Sequence, residues 1–226
     1  YDLFEQLAVG DICGSFRRSI TLGFMVMITT IVVSVMGGLA FRKKFPGSTV
    51  LFYLIVTALV IPSILISLGV GLLFSQAGIN VHWATSGFGA QLTWTLPFGL
   101  LIMFAVFNRF DKSYEEAARD QGATAWHTLR YVVLPIIAPS LIGVALFGFT
   151  LSYDEFARTL LTSGSKNTLP LEIYGMTTNV TSPVLYALGT LTTVFSLIII
   201  GFFLGIAVWS NRRRAARGND AGKGMV

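Results

Sequence analysis

Cysteine, histidine and charge are all scarce in this chain, and each scarcity removes a class of chemistry. Its 226 residues hold one cysteine, two histidines and 12% charged side chains. A lone Cys13 permits neither an intrachain disulfide nor a cysteine-based metal site. The histidines, His82 and His127, fall in different connecting segments, and no His-Glu-x-x-His pair is present. A phosphate-cradling loop needs Gly, four residues and Gly-Lys-Ser/Thr; the nearest approach, residues 218–224, is one spacer short and has no hydroxyl. The expectation is a chain with no catalytic constellation, no metal site and no cofactor of its own.

Apolar residues are what the chain has in excess. Hydrophobic residues make up 54% and the mean hydropathy is +0.71, against about 45–50% apolar and about 25% charged in soluble domains. Five apolar stretches approach the length that crosses a ~30 Å hydrocarbon core: residues 19–41, 49–75, 88–107, 131–151 and 185–209. Twelve of the sixteen basic residues lie on one side of these spans: Arg42, Lys43 and Lys44, then Arg109, Lys112, Arg119 and Arg130, then Arg212, Arg213, Arg214, Arg217 and Lys223. Cytoplasmic loops are enriched in Lys and Arg, so that side is the cytoplasm and residue 1 lies outside. The net charge of +5 then follows from topology and calls for no nucleic acid. Residues 1–210 read as one transmembrane domain, and residues 211–226 as a basic, disordered cytoplasmic tail. Pro62, Pro97 and Pro139 predict kinks in their spans, and Gly69 with Gly71 and Gly201 with Gly205 read as packing positions.

The segment joining the third and fourth spans, residues 109–131, is polar and rich in helix formers. Ser113 and Glu116 have capping-box spacing, Glu115 and Arg119 are a favourable i, i+4 pair, Gly122 suits a left-handed helix end, and Thr124 suits the cap of a second helix. Within it, Glu116-Ala117-Ala118 is followed by three residues and Gly122, then nine residues and Val132-x-Leu134-Pro135. This order resembles the EAA loop in the permease subunits of bacterial binding-protein-dependent ABC importers, with Val132 where Ile is usual. The resemblance implies an all-α, polytopic membrane helix bundle of the type I ABC importer permease kind. It assigns Glu116, Ala117, Ala118, Asp120, Gly122, Trp126, Leu134 and Pro135 to coupling with an ATPase. It also implies a second permease subunit, two ATPase subunits that bind ATP and Mg, a periplasmic substrate-binding protein, membrane lipid around the bundle, and a bacterial inner-membrane location. Such permeases commonly have six helices with both ends inside, so one further helix is expected ahead of the five visible here.

At the outer end of the fourth span stand Ser152-Tyr153-Asp154-Glu155-Phe156. Two adjacent carboxylates at a pathway mouth favour a cationic solute and oppose an anion; the alternative is that they are hydrated at the surface or paired with Arg158. Together with Leu169-Pro170-Leu171-Glu172-Ile173-Tyr174-Gly175-Met176 and Ser182-Pro183, this stretch resembles the spermidine/putrescine permease group. That resemblance implies Ser152, Asp154 and Glu155 as solute contacts. Glu172 and Gly175 depart from the group's pattern and leave room for another solute, such as ferric iron, an opine or an amino-acid derivative. A self-contained secondary carrier would need ion ligands inside its spans, and the core of none of the five holds Asp, Glu, Lys, Arg or His. A membrane scaffold that moves nothing would have no ATPase among its partners.

Overall fold

The computed structural model describes residues 11–43, 45–179 and 183–223, and they are helical with no strand among them. In chain order the helices are α1 (Ile12–Phe41), α2 (Ser48–Thr57), α3 (Ser63–Gln76), α4 (Phe88–Asn108), α5 (Ser113–Asp120), α6 (Ala125–Thr128), α7 (Leu134–Tyr153), α8 (Leu169–Asn179) and α9 (Pro183–Lys223). A π-helical turn, Trp83–Gly87, leads into α4, and another, Leu129–Val133, joins α6 to α7. Among the described residues, four helical stretches are long and apolar enough to cross a membrane: Ile12–Phe41, Trp83–Asn108, Ala125–Tyr153 and Pro183–Ser210.

The fifth expected span, residues 49–75, is broken. Pro62 takes an extended conformation with φ −56° and ψ 131°, and the residues between α2 and α3 leave the helix. Proline lacks the amide that would continue the ladder, and its ring disfavours helical backbone at the residue before it. A kink is the lesser response to those two effects, and here the response is complete interruption. By contrast α4 runs through Pro97 and α7 through Pro139 without a break. Two boundaries also differ from expectation. α1 begins before Arg17 and Arg18 because Arg18 finds partners at once: Asp11 at 2.6 Å, the Ser15 hydroxyl at 3.0 Å and the Asn167 carbonyl at 2.7 Å. α9 continues to Lys223, so residues 211–223 extend the last helix where a disordered end was expected; arginine and alanine are good helix formers.

α1, α4 and α7 pack together in the centre, α9 lies against α7, and α8 bridges α1 and α9 on the outer side. At the end of the bundle near α5 and α6 the core joins Val35, Met103, Phe107, Val133, Ile137 and Val144. At the end near α8 it joins Ile12, Phe149, Tyr153, Leu169 and Leu188. Between the two, the buried hydroxyls of Thr30 and Thr95 bond across α1 and α4 at 3.1 Å. The connection from α7 to α8, residues 154–168, turns back over the broken span, and a Cβ at Gly71 would lie 2.8 Å from the Leu161 carbonyl oxygen. Beside Gly69, Gly201 and Gly205 there is open space, so those three do not mediate a close contact within this chain. Gly71→Ala should therefore lose about 1–3 kcal/mol from overpacking while Gly69→Ala is neutral; thermal unfolding of the two variants in detergent checks the contrast.

Candidate functional site

The cytoplasmic loop folds as two helices turned at a glycine. α5 starts where the Ser113 amide donates to the Asp111 carboxylate at 3.0 Å, a bond that also holds the Asp111 carboxyl below its ordinary pKa. The expected capping box does not form, because Ser113 is already inside the helix and makes no cap bond; the charged acceptor two residues earlier takes the orphan amide. At the other end Gly122 has φ +82°. Its amide donates to the Arg119 carbonyl at 2.8 Å and the Ala123 amide to the Ala118 carbonyl at 3.0 Å, the paired bonds of a Schellman stop. Nothing lies within 4 Å of a Cβ at this position, so conformation and not space demands glycine. Thr124 then caps α6, its hydroxyl accepting from the His127 amide at 3.3 Å. The helix continues into α7 with Pro135 in the first turn, where a missing amide costs little.

Glu115 does not pair with Arg119 as its spacing suggested. It bonds Arg42, at the end of α1, at 2.5 Å, with only 14% and 17% of the two side chains exposed. The Arg42 guanidinium also lies 5.4 Å from the ring centre of Phe107 and 5.2 Å from that of Phe110. One arginine thereby ties together the cytoplasmic ends of α1, α4 and α5. On the opposite face of the loop, Glu116, Ala117, Asp120 and Gly122 are exposed, as are Tyr114 at 55% and Trp126 at 62%. Ala118 and Leu134 are half-buried, and Pro135 is exposed. Sequence spacing identified the outward face but missed the anchor; the only signal for it was a basic residue placed directly after a span.

On the outer side the predicted trio separates. Ser152 is buried and its hydroxyl bonds the side-chain oxygen of Gln91 on α4. Asp154, just beyond α7, is exposed, and no ion pair to it occurs among the described residues. Glu155 turns inward, 8% exposed, and its Oε2 lies 3.4 Å from Arg158 Nη1 while its Oε1 accepts the Arg158 amide at 2.9 Å. Arg158, 2% exposed, also donates from Nη1 to Ser63 at 2.8 Å and from Nε to Thr93 at 3.3 Å. Its guanidinium sits 4.4 Å over the Trp94 ring. Of the three residues read as solute contacts, only Asp154 is exposed and unpaired. The surrounding loop is stitched to the bundle: Ser67 on α3 donates to the Arg158 carbonyl at 3.1 Å and accepts the Leu161 amide at 3.0 Å, and Ser86 donates to the Thr162 carbonyl at 2.8 Å. Ser63 and Gln91 do not stand out as site residues from sequence, since nothing local announces that Arg158 reaches the first or Ser152 the second.

Residues 30–215 match the family described as binding-protein-dependent transport system inner membrane component. Among curated proteins, the spermidine/putrescine transport system permease protein of Escherichia coli K12 is 28% identical over 186 residues, covering 81% of this chain and 70% of that protein. The protein of the same name from Haemophilus influenzae is 29% identical over 204 residues, covering 88% and 79%. Among solved structures, the methionine ABC transporter in an inward-facing conformation aligns with TM-score 0.72 at 16% identity, covering 88% of this chain and 95% of that one. A bacterial ABC transporter that imports the acidic polysaccharide alginate aligns with TM-score 0.73 at 14% identity, covering 92% and 82%. The last two likenesses show the fold.

Three stability measurements separate the conformational and electrostatic readings of these sites. Gly122→Ala should cost about 1–2 kcal/mol for its left-handed backbone. Glu155→Gln, which leaves Arg158 buried without its counter-charge, should cost about 3–5 kcal/mol, whereas Asp154→Asn should leave the unfolding temperature in detergent unchanged.

Proposed function

The chain belongs to the binding-protein-dependent transport system inner membrane component family, and on that footing we propose that it is the membrane subunit through which an ATP-driven importer moves polyamines, spermidine or putrescine, into the cell. The observation that carries the cargo class is the exposed, unpaired Asp154 at the outer end of α7, in a chain 28–29% identical to spermidine/putrescine permeases over most of its length. A carboxylate there concentrates cations at the mouth and repels anions. A periplasmic binding protein delivers the solute, and a second permease subunit completes the pathway.

The energy enters from below. The exposed face of α5 and α6, with Glu116, Ala117, Asp120 and Gly122 on the first helix and its stop and Trp126 on the second, docks into an ATPase subunit that holds ATP and Mg, with the half-buried Ala118 beneath it. Leu134 and Pro135 carry the displacement into α7. Because Glu115 is ion-paired to Arg42, a push on α5 is delivered to α1 as well as to α7, and the bundle tilts as a packed unit in a hinge or shear transition. The separation of Glu155 from Asp154 favours a second, narrower reading of the cargo. With Glu155 neutralised by Arg158, the mouth keeps one net negative charge, which also suits an amine that carries a carboxylate.

ATP hydrolysis by the complete complex in proteoliposomes, with binding protein and spermidine, putrescine, ferric iron or sulfate, tests the cargo. Amines should stimulate and Asp154→Asn should blunt the response; stimulation by iron or sulfate, indifferent to Asp154, would contradict the polyamine assignment. Glu116→Lys should abolish stimulation while the binding protein still holds its ligand, and normal turnover in that variant would contradict the docking face.

A further inference from the structure

The buried cluster below Asp154 is made of groups that recognise a cation, and the cation it holds is the chain's own. The Trp94 ring offers its negative face, Glu155 its carboxylate, and Ser63 and Thr93 their hydroxyl oxygens; the Arg158 guanidinium touches all four, at 4.4, 3.4, 2.8 and 3.3 Å. An alkylammonium group would be held by the same set. The location is equally telling. Ser63 is the first residue of α3, a 14-residue helix that begins where the second span is broken, and interrupted helices are where membrane carriers commonly bind solute. A helix N-terminus favours negative charge, so the guanidinium is held there against the helix dipole. Its backbone is fixed independently of its side chain: the Arg158 carbonyl accepts from Ser67 and from Thr162. The side chain can therefore swing out while the loop stays in place.

We propose that Arg158 is a resident cation in the cargo's own subsite, which an incoming amine must displace from Trp94 and Glu155, and that it thereby selects for cargo bearing more than one positive charge. This rests on the amine reading above. A tethered guanidinium competes at high effective concentration. A monoamine brings a single charge against it, whereas a diamine or triamine engages Asp154 at the mouth with one ammonium while a second competes for Glu155. Arg158 is in this sense a specificity-determining residue, and the buried ion pair is the selector.

The test uses the complete transporter, this chain with its second permease and ATPase subunits, in nanodiscs. Phenylglyoxal modification of Arg158, read by mass spectrometry, should rise as spermidine is added and should not respond to butylamine. In the Arg158→Met complex, butylamine should bind at least about tenfold more tightly than in the native complex, because its tethered competitor is gone, and the preference for spermidine should shrink; Arg158→Lys should restore the native preference. Spermidine uptake by the native complex with no change in Arg158 labelling overturns this inference alone, as does an assembled Arg158→Met complex that keeps the native preference. Should that variant fail to assemble, the labelling of the native complex decides. Native uptake of no amine at all overturns the cargo reading and this inference with it.

Discussion

A membrane offers no water to a polar group, so taking one inside the bundle is costly unless the protein supplies a partner, and this cost shapes the outer half of the molecule. The break at Pro62 opens the second span and places two hydroxyls, Ser63 and Ser67, at and near the start of α3. The loop after α7 folds down onto them. Arg158 and Leu161 use those hydroxyls directly, Thr162 uses Ser86, and Gly71 lets the Leu161 carbonyl approach. Glu155 follows Arg158 inward because a buried guanidinium without a carboxylate would be costly. Asp154, one residue earlier, stays outside the pair and exposed. The division of labour between two neighbouring carboxylates is thus a consequence of where one arginine is buried.

The coupling role proposed for the loop between α4 and α7 poses a mechanical problem. A surface loop joined to its bundle only by backbone would absorb a push by bending. Here Gly122 sets a fixed angle between α5 and α6, the π turn carries α6 into α7 without a gap, and the Arg42–Glu115 pair closes the third side by joining α5 to α1. The exposed aromatic and acidic residues lie on the face opposite that pair, free to meet another subunit. Stiffness toward the membrane and openness toward the cytosol come from alternating the roles of adjacent glutamates, Glu115 inward and Glu116 outward, on a single short helix.

What sequence conveyed well was whatever depends on local pattern. Four of the five span positions follow from apolar length; the turn at Gly122 and the Thr124 cap follow from residue chemistry at known spacing. What it conveyed poorly depends on which of several partners wins. Ser113 and Glu116 had the spacing of a capping box, but Asp111 offered a charged acceptor and took the amide. Glu115 had a partner one turn away in Arg119, but Arg42 offered a less exposed, aromatic-lined contact. Pro62 and Pro97 were alike in sequence, yet only the first interrupts its helix. The pairing of Arg158 with Ser63 and Trp94 spans 95 and 64 residues of chain, and no local signal encodes it.

The proposed coupling requires that the loop between α4 and α7 move as one body with the bundle. Electron paramagnetic resonance distances between spin labels at Gln121, the cap of α5, and Lys43 next to α1, measured in the assembled transporter with and without ATP, test it directly. Rigid coupling through Arg42 and Glu115 predicts a narrow distance distribution that does not change between the two states, while the distance from Gln121 to the second permease subunit does. A distance within this chain that shifts or broadens on ATP binding, with transport intact, would contradict it.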